Sequence, residues 1–214
     1  MGWENELIQA LEKEIETDNS ESFYDNSFYN DHEKYRNVYN FLGELIYVSF
    51  NPKSVIDLGC GAAFLLERLK ALGVKKVCGI DGSESAKNSW PEHMKDVLKV
   101  QDLLKFDSKE RYDVAVCMEV AEHIPGDKAS RIVKRVTDSA GQYVWWTAAQ
   151  PGQGGTGHIN CQSICYWVRQ FESCKFIPLW EYGYNAKMEM LKIKEIHSYP
   201  WFRDNLIVFK RVGR

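Results

Sequence analysis

The chain has 214 residues, of which 44% are hydrophobic, 27% charged and 13% aromatic, with a formal charge of -3. Apolar content at this level excludes a disordered tail, a collagen-like repeat and a disulfide miniprotein, and fits one ordinary domain with a sizeable core. The near-neutral charge argues against a dedicated nucleic-acid binder, and no apolar run approaches the roughly 18 to 20 residues that cross a bilayer.

Residues 1 to 9 lack the basic-then-apolar order of a signal peptide, and the six cysteines are scattered without a CxxC pair. Both features point to free thiols and a cytoplasmic address. Trp3, Leu7, Ile8, Leu11 and Ile15 recur at helical spacing, and Thr17 to Asn30 then breaks the period. A second helix is expected from about Asp31 to Phe50, stopped by Asn51 and Pro52. Beyond it, short β-type runs alternate with amphipathic stretches. Strands are expected at Ser54–Leu58, Lys76–Ile80, Val97–Val100, Tyr112–Cys117 and Gln142–Trp146, with helices at Ala62–Leu72 and after a capping Asp127. Continuous apolar strands separated by helices predict an α/β domain with a mostly parallel sheet covered on both faces. Further on, a helix at Gln162–Phe171 and strands at Lys175–Leu179 and Leu206–Phe209 suit an antiparallel edge. The chain reads as a single domain over 1–214, with N-terminal helices in 1–50, a ligand-binding core in 53–147 and a substrate-side part in 148–214.

The segment Val55 to Ala63 lies where the first strand meets a helix, the place where ligands bind in open α/β sheets. Gly59 and Gly61, flanking Cys60, let a ligand approach the backbone. A Walker loop would need a Gly-Lys-Ser/Thr ending, and a dinucleotide fingerprint a small residue in place of Phe64. Asp57 would repel a pyrophosphate but suits an ammonium group.

These residues resemble the first motif of the class I S-adenosylmethionine-dependent methyltransferases, Asp/Glu-x-Gly-x-Gly-x-Gly, with Ala63 in place of the third glycine. The resemblance runs through residues 53–147 in motif order and implies a Rossmann-like fold with S-adenosyl-L-methionine as the methyl donor. It implies that Asp81, in Asp81-Gly82-Ser83, accepts the ribose hydroxyls. It places Asp102, in Gln101-Asp102-Leu103, at the adenine amino group, and the strand ending at Cys117 beside the sulfonium and substrate. Four motifs in order at strand ends outweigh the alternative that each acidic residue merely caps a turn.

Glu119-Val120-Ala121-Glu122-His123 follows the fourth strand, and a glycine-rich loop later carries His158. Two carboxylates and two imidazoles suit Mg²⁺ or Mn²⁺. The pattern looks like the metal site of ubiquinone-pathway and small-RNA O-methyltransferases, in which Glu119, Glu122, His123 and His158 would be ligands. Metal-free relatives use such a Glu-His pair otherwise, with His123, then His158, as general base and Glu122 orienting the loop. Three readings therefore stand together: O-methylation of a small hydroxylated metabolite with metal assistance, metal-free N- or C-methylation, and a non-catalytic binding subunit. His32, His93 and His197 read as surface residues. The aromatics fall in two places. Core packing is the first reading for any one of them; as groups, Phe23, Tyr24, Phe28 and Tyr29 suit a lid on the cofactor, and Trp145, Trp146, Tyr166, Trp167, Trp180, Tyr182, Tyr184, Trp201 and Phe202 the walls of an acceptor pocket.

Overall fold

The computed structural model describes residues 24–213, so the expected helix between Trp3 and Ile15 and the side chain of Phe23 lie outside the described residues. The chain opens with α1 (Asn26–Asp31), a 3-10 turn at His32–Tyr35 and α2 (Arg36–Phe50). Asn51 ends α2 in the left-handed region at φ 43°, a conformation asparagine tolerates better than most residues. There follow β1 (Ser54–Leu58), α3 (Phe64–Ala71), β2 (Lys76–Asp81), β3 (Leu98–Val100), β4 (Tyr112–Met118), α4 (Ala129–Ser139) and β5 (Ala140–Thr147). The last third comprises α5 (Ile164–Ser173), β6 (Phe176–Pro178), α6 (Trp180–Met190), α7 (Lys194–Ser198), α8 (Trp201–Asp204) and β7 (Ile207–Arg211).

The seven strands form one sheet in the order β3-β2-β1-β4-β5-β7-β6. All neighbours from β3 to β5 are parallel, whereas β7 runs antiparallel to both β5 and β6. The antiparallel C-terminal strand is thus present, set one place in from the edge that β6 forms. Side chains alternate between two cores, as the period of two requires. Val55, Val114, Val116, Trp145 and Val208 face α2, α3 and α6, while Ile56, Ala115, Cys117, Trp146 and Phe209 face α4 and α5. Adjacent Trp145 and Trp146 therefore fill opposite layers, both fully buried. In α3, Phe64, Leu65, Leu66 and Leu69 are buried, each such side chain contributing about 1.5–3 kcal/mol.

Several expectations change. The segment before residue 31 contains α1, where Asp25 accepts from the Phe28 N–H and the Ser27 hydroxyl. Asp127 caps no helix, because it lies inside a 3-10 turn and α4 begins after Lys128 without a side-chain cap. Ser163 supplies such a cap for α5 by accepting from the Tyr166 N–H. Among the described residues no helix is long and apolar enough to cross a membrane.

Candidate active site

The carboxyl ends of β1, β2, β4 and β5 share one rim, and the site is built on it. Register pairs Asp57 of β1 with Gly79 of β2 and Val116 of β4. Asp57 is 3% exposed, and its Oδ1 has no hydrogen-bond partner. Burial, and secondarily the Asp81 charge, push its carboxyl well above the ordinary carboxylate range. An unpaired buried carboxylate is costly and calls for a cationic or donor group. Gly59 at φ 88° leaves room for the neighbouring loop, since a Cβ there would lie 2.2 Å from Val120 Cγ2. At Gly61 and Gly82, in contrast, a Cβ would project into open space. Open backbone at Gly61 and Gly82 and an orphaned carboxyl oxygen at Asp57, on neighbouring strand ends, are compatible with a ligand that carries an amino group.

Asp81 organises the second loop. It is 7% exposed, and its Oδ2 accepts from the Gly61 N–H at 2.8 Å, its Oδ1 from the Ser83 N–H at 2.9 Å and the Tyr29 hydroxyl at 3.3 Å. Burial raises its pKa against the opposing effect of these bonds. Asp102 is exposed, and it caps its own turn by accepting from the Leu104 N–H at 2.8 Å beside Lys105 at 3.4 Å. Gln101 is exposed and its N–H bonds the Asp81 carbonyl, while Leu103 is buried. Cys60 and Cys117 are buried in the cores on opposite faces of the sheet. Trp90, which sequence reasoning missed, fixes the glycine loop by donating from Nε1 to the Gly61 carbonyl at 2.8 Å.

The segment expected as a lid packs against both loops of this rim. The Tyr24 carbonyl accepts from the Ser83 hydroxyl at 3.1 Å, and the Tyr24 ring meets the rings of Phe28 and His123. Burial, then the charges of Glu122 and Asp81, raise the pKa of the Tyr24 hydroxyl. His32 is not a surface residue: it packs against Phe28, Tyr29 and Tyr35, and burial lowers its pKa. His93 and His197 are exposed.

After β4 the backbone turns sharply, with Glu119 at φ 53° and a 3-10 turn at Ala121–His123. Glu122, His123 and His158 each bring one ligand atom into a group within 4.8 Å of one another. The Glu122 carbonyl accepts from both Ile159 and Asn160 N–H groups at 2.9 Å, and Asn160 Nδ2 donates to the Ala121 carbonyl at 3.3 Å. These bonds tie the two loops together. Glu122 is fully buried; its Oε1 accepts from the Ala149 N–H at 3.2 Å and its Oε2 has no partner. Burial, then neighbouring Glu119, raise its pKa well above the carboxylate range.

His123 Nδ1 lies 3.0 Å from the Gly157 carbonyl. A carbonyl only accepts, so Nδ1 carries the proton and Nε2 presents a lone pair. Burial, and secondarily the His158 ring, push its pKa down to about 4. At Gly155 a Cβ would lie 2.3 Å from the His158 ring, around which its loop wraps, so a side chain there would displace that ring. Glu119, expected as a fourth ligand, stands outside the converging group: both its oxygens accept from Asn205 Nδ2, at 3.1 and 3.4 Å. The aromatics beyond residue 144 divide between core and surface. Trp145, Trp146 and Trp167 are core, and Trp180, Tyr182 and Tyr184 are exposed.

Comparison with known proteins bears on the family and the fold. The chain is 27% identical over 161 residues to a mitochondrial ubiquinone biosynthesis O-methyltransferase of Saccharomyces cerevisiae, covering 71% of this chain and 47% of that one. It is 37% identical over 100 residues to a ubiquinone biosynthesis O-methyltransferase of Nitrosomonas europaea, covering 44% and 41% respectively. The chain thus spans less than half the length of these curated relatives. Magnesium protoporphyrin IX methyltransferase of Synechocystis, solved with bound SAH, superposes with a TM-score of 0.60 at 16% identity, covering 84% of each chain. An S-adenosylmethionine-dependent methyltransferase of Clostridium acetobutylicum superposes at 0.56 with 10% identity, covering 99% of this chain and 100% of that one. At such identities the superpositions establish the fold alone. A family model described as a methyltransferase domain matches residues 28–141, more than half of the chain and the stretch that holds β1 to β4 with their loops. The chain therefore belongs to the methyltransferase domain family, on the class I S-adenosylmethionine-dependent fold.

Proposed function

We propose that this chain transfers a methyl group from S-adenosylmethionine to a hydroxyl oxygen of a small-molecule acceptor, with a divalent ion such as Mg²⁺ or Mn²⁺ held by Glu122, His123 and His158. The observation that carries the reading is the convergence of those three side chains beside the donor cleft. The names of the curated relatives, O-methyltransferases at modest identity, support oxygen as the methylated atom. S-adenosylmethionine supplies an electrophilic methyl on a sulfonium. Asp57 pairs with its ammonium group and so relieves the orphaned buried oxygen, while Asp81 takes the ribose hydroxyls. A divalent ion at the triad supplies the charge that lowers the pKa of an acceptor hydroxyl and fixes its position. His123 Nε2 and the unpartnered Glu122 Oε2 furnish the donor set. Tyr24 and the glycine loop around His158 close the cleft and exclude water, and alignment of two bound reactants removes several kcal/mol of barrier.

His123 also supports a metal-free reading, since an imidazole kept neutral with a free Nε2 is a competent general base. One assay separates the two. Methyl transfer from labelled S-adenosylmethionine to hydroxylated acceptors is measured after EDTA treatment, then with Mg²⁺ or Mn²⁺ restored. Loss and recovery are expected. Full activity in chelator overturns the metal, and no binding of S-adenosylhomocysteine in calorimetry overturns the whole reading.

A further inference from the structure

Asn205, just ahead of β7, is 2% exposed and sits between the two loops that carry the triad. Its Nδ2 donates to Glu119 Oε1 and Oε2, at 3.1 and 3.4 Å, and to Gln153 Oε1 at 3.0 Å. Its Oδ1 accepts from Gln150 Nε2 at 3.2 Å. Both polar ends of one buried amide are thus spent on two other segments. Glu119 opens the turn that leads to Glu122 and His123, and it stands at φ 53°. A non-glycine residue holds that conformation only when its surroundings over-determine it. Here the restraints are the Asn205 amide on the carboxylate and Thr147 on the Glu119 N–H, through its carbonyl and hydroxyl oxygens, each at 3.1 Å. Gln153 opens the glycine loop, and its carbonyl oxygen lies 3.3 Å from His158 Nδ1.

We infer that Asn205 is a positioning residue, which sets the Glu122–His123 turn and the His158 loop against each other through Glu119 and Gln153. In the structure its amide is engaged by the side chains of Glu119, Gln153 and Gln150, and it acts on the triad through the first two. The inference rests on the functional reading above for its meaning to the reaction, since outer partners of this kind orient the groups that do the chemistry. Its geometric content is testable without any acceptor.

The test uses the full chain with ¹⁵N-labelled histidine and follows the side-chain resonances of His123 and His158. In N205D two carboxylates oppose each other, and both resonances move while those of His93 and His197 stay. The exchange E119Q/N205D restores an amide facing a carboxylate with donor and acceptor reversed, and the resonances return toward their wild-type positions. Should N205D not fold, N205A removes the same amide and is expected to displace the same two histidines. Affinity for S-adenosylhomocysteine, measured by calorimetry, stays within about twofold in every variant, as for an independent site. With a turned-over acceptor, kcat falls about tenfold or more in N205D at unchanged donor KM.

Unmoved His123 and His158 in N205D and N205A overturn the inference, and so does an exchange variant that stays displaced. A parallel loss of S-adenosylhomocysteine affinity overturns it too, because the residue would then support the whole rim. Failure of the wild type to bind S-adenosylhomocysteine would fall on the functional reading, leaving the resonance test of Asn205 decisive on its own.

Discussion

The Tyr24 ring meets the His123 imidazole edge-on, with centroids 5.6 Å apart and an interplanar angle of 87°. The same residue accepts from Ser83 through its carbonyl, so one position of the proposed lid touches both the Asp81 loop and the triad. Tyr24→Ala is expected to lower affinity for S-adenosylhomocysteine about fivefold, roughly 1 kcal/mol for a lost aromatic contact. Calorimetry checks this. If Tyr24→Ala and Tyr29→Ala both leave affinity and turnover untouched, the segment is not a lid.

Asp81 holds Gly61, Ser83 and Tyr29 before any ligand arrives. Asp81→Ala therefore removes the proposed ribose acceptor and loosens the loop that presents it. Affinity for S-adenosylhomocysteine should fall at least about tenfold, as expected when a charged hydrogen-bond acceptor is lost, and the melting temperature should fall with it. Wild-type affinity in this variant would place the ribose elsewhere.

Asp57 has a pH signature. Its folded-state pKa lies above the ordinary 3.8, because of burial and then Asp81. Its contribution to stability is fully present below that ordinary value and is lost as pH rises through the raised one. Asp57→Asn escapes the loss. Its melting temperature should pull ahead of the wild type as pH rises above about 4 and level off once the wild-type carboxyl has ionised, while S-adenosylhomocysteine binds at least about tenfold more weakly. Thermal melts across that range decide it, a constant difference at all pH values being the contrary result.

Ala63 adopts φ 64°, ψ 16° in place of the third glycine of the motif. Left-handed backbone costs an alanine about 1–2 kcal/mol, partly offset by the greater unfolded-state freedom of glycine. Ala63→Gly should stabilise by about 0.5–1 kcal/mol, raising the melting temperature about 2 °C. A lowered melting temperature would show that the Ala63 methyl packs better than this accounting allows.

What was legible in the sequence is what backbone period and strand-end chemistry dictate. Strands β1 to β5, the glycine loop and the carboxylates Asp57 and Asp81 follow from apolar runs ending in acidic or glycine residues. The C-terminal helices are harder to read, because α6 is apolar on two sides: Gly183, Ala186 and Met190 face inward while Trp180, Tyr184 and Met188 are exposed. The helical period is thereby blurred. Asn205 left no signal at all, since an asparagine before a strand has no spacing that ties it to residues some 50 to 90 positions away. Neither did His32, whose burial depends on rings from its own turn and from α1 that stack only once the segment coils.

The reversed direction of β7 has a practical side. It delivers Asn205 to the rim where the parallel strands end, and it carries the chain away from that rim, so that Arg211 bonds the carbonyls of Thr137, Ala140 and Gly141 near the start of β5. A surface anchor or fusion partner joined after Gly213 would therefore hang from the end of the sheet opposite the rim that carries Asp57, Asp81 and the triad.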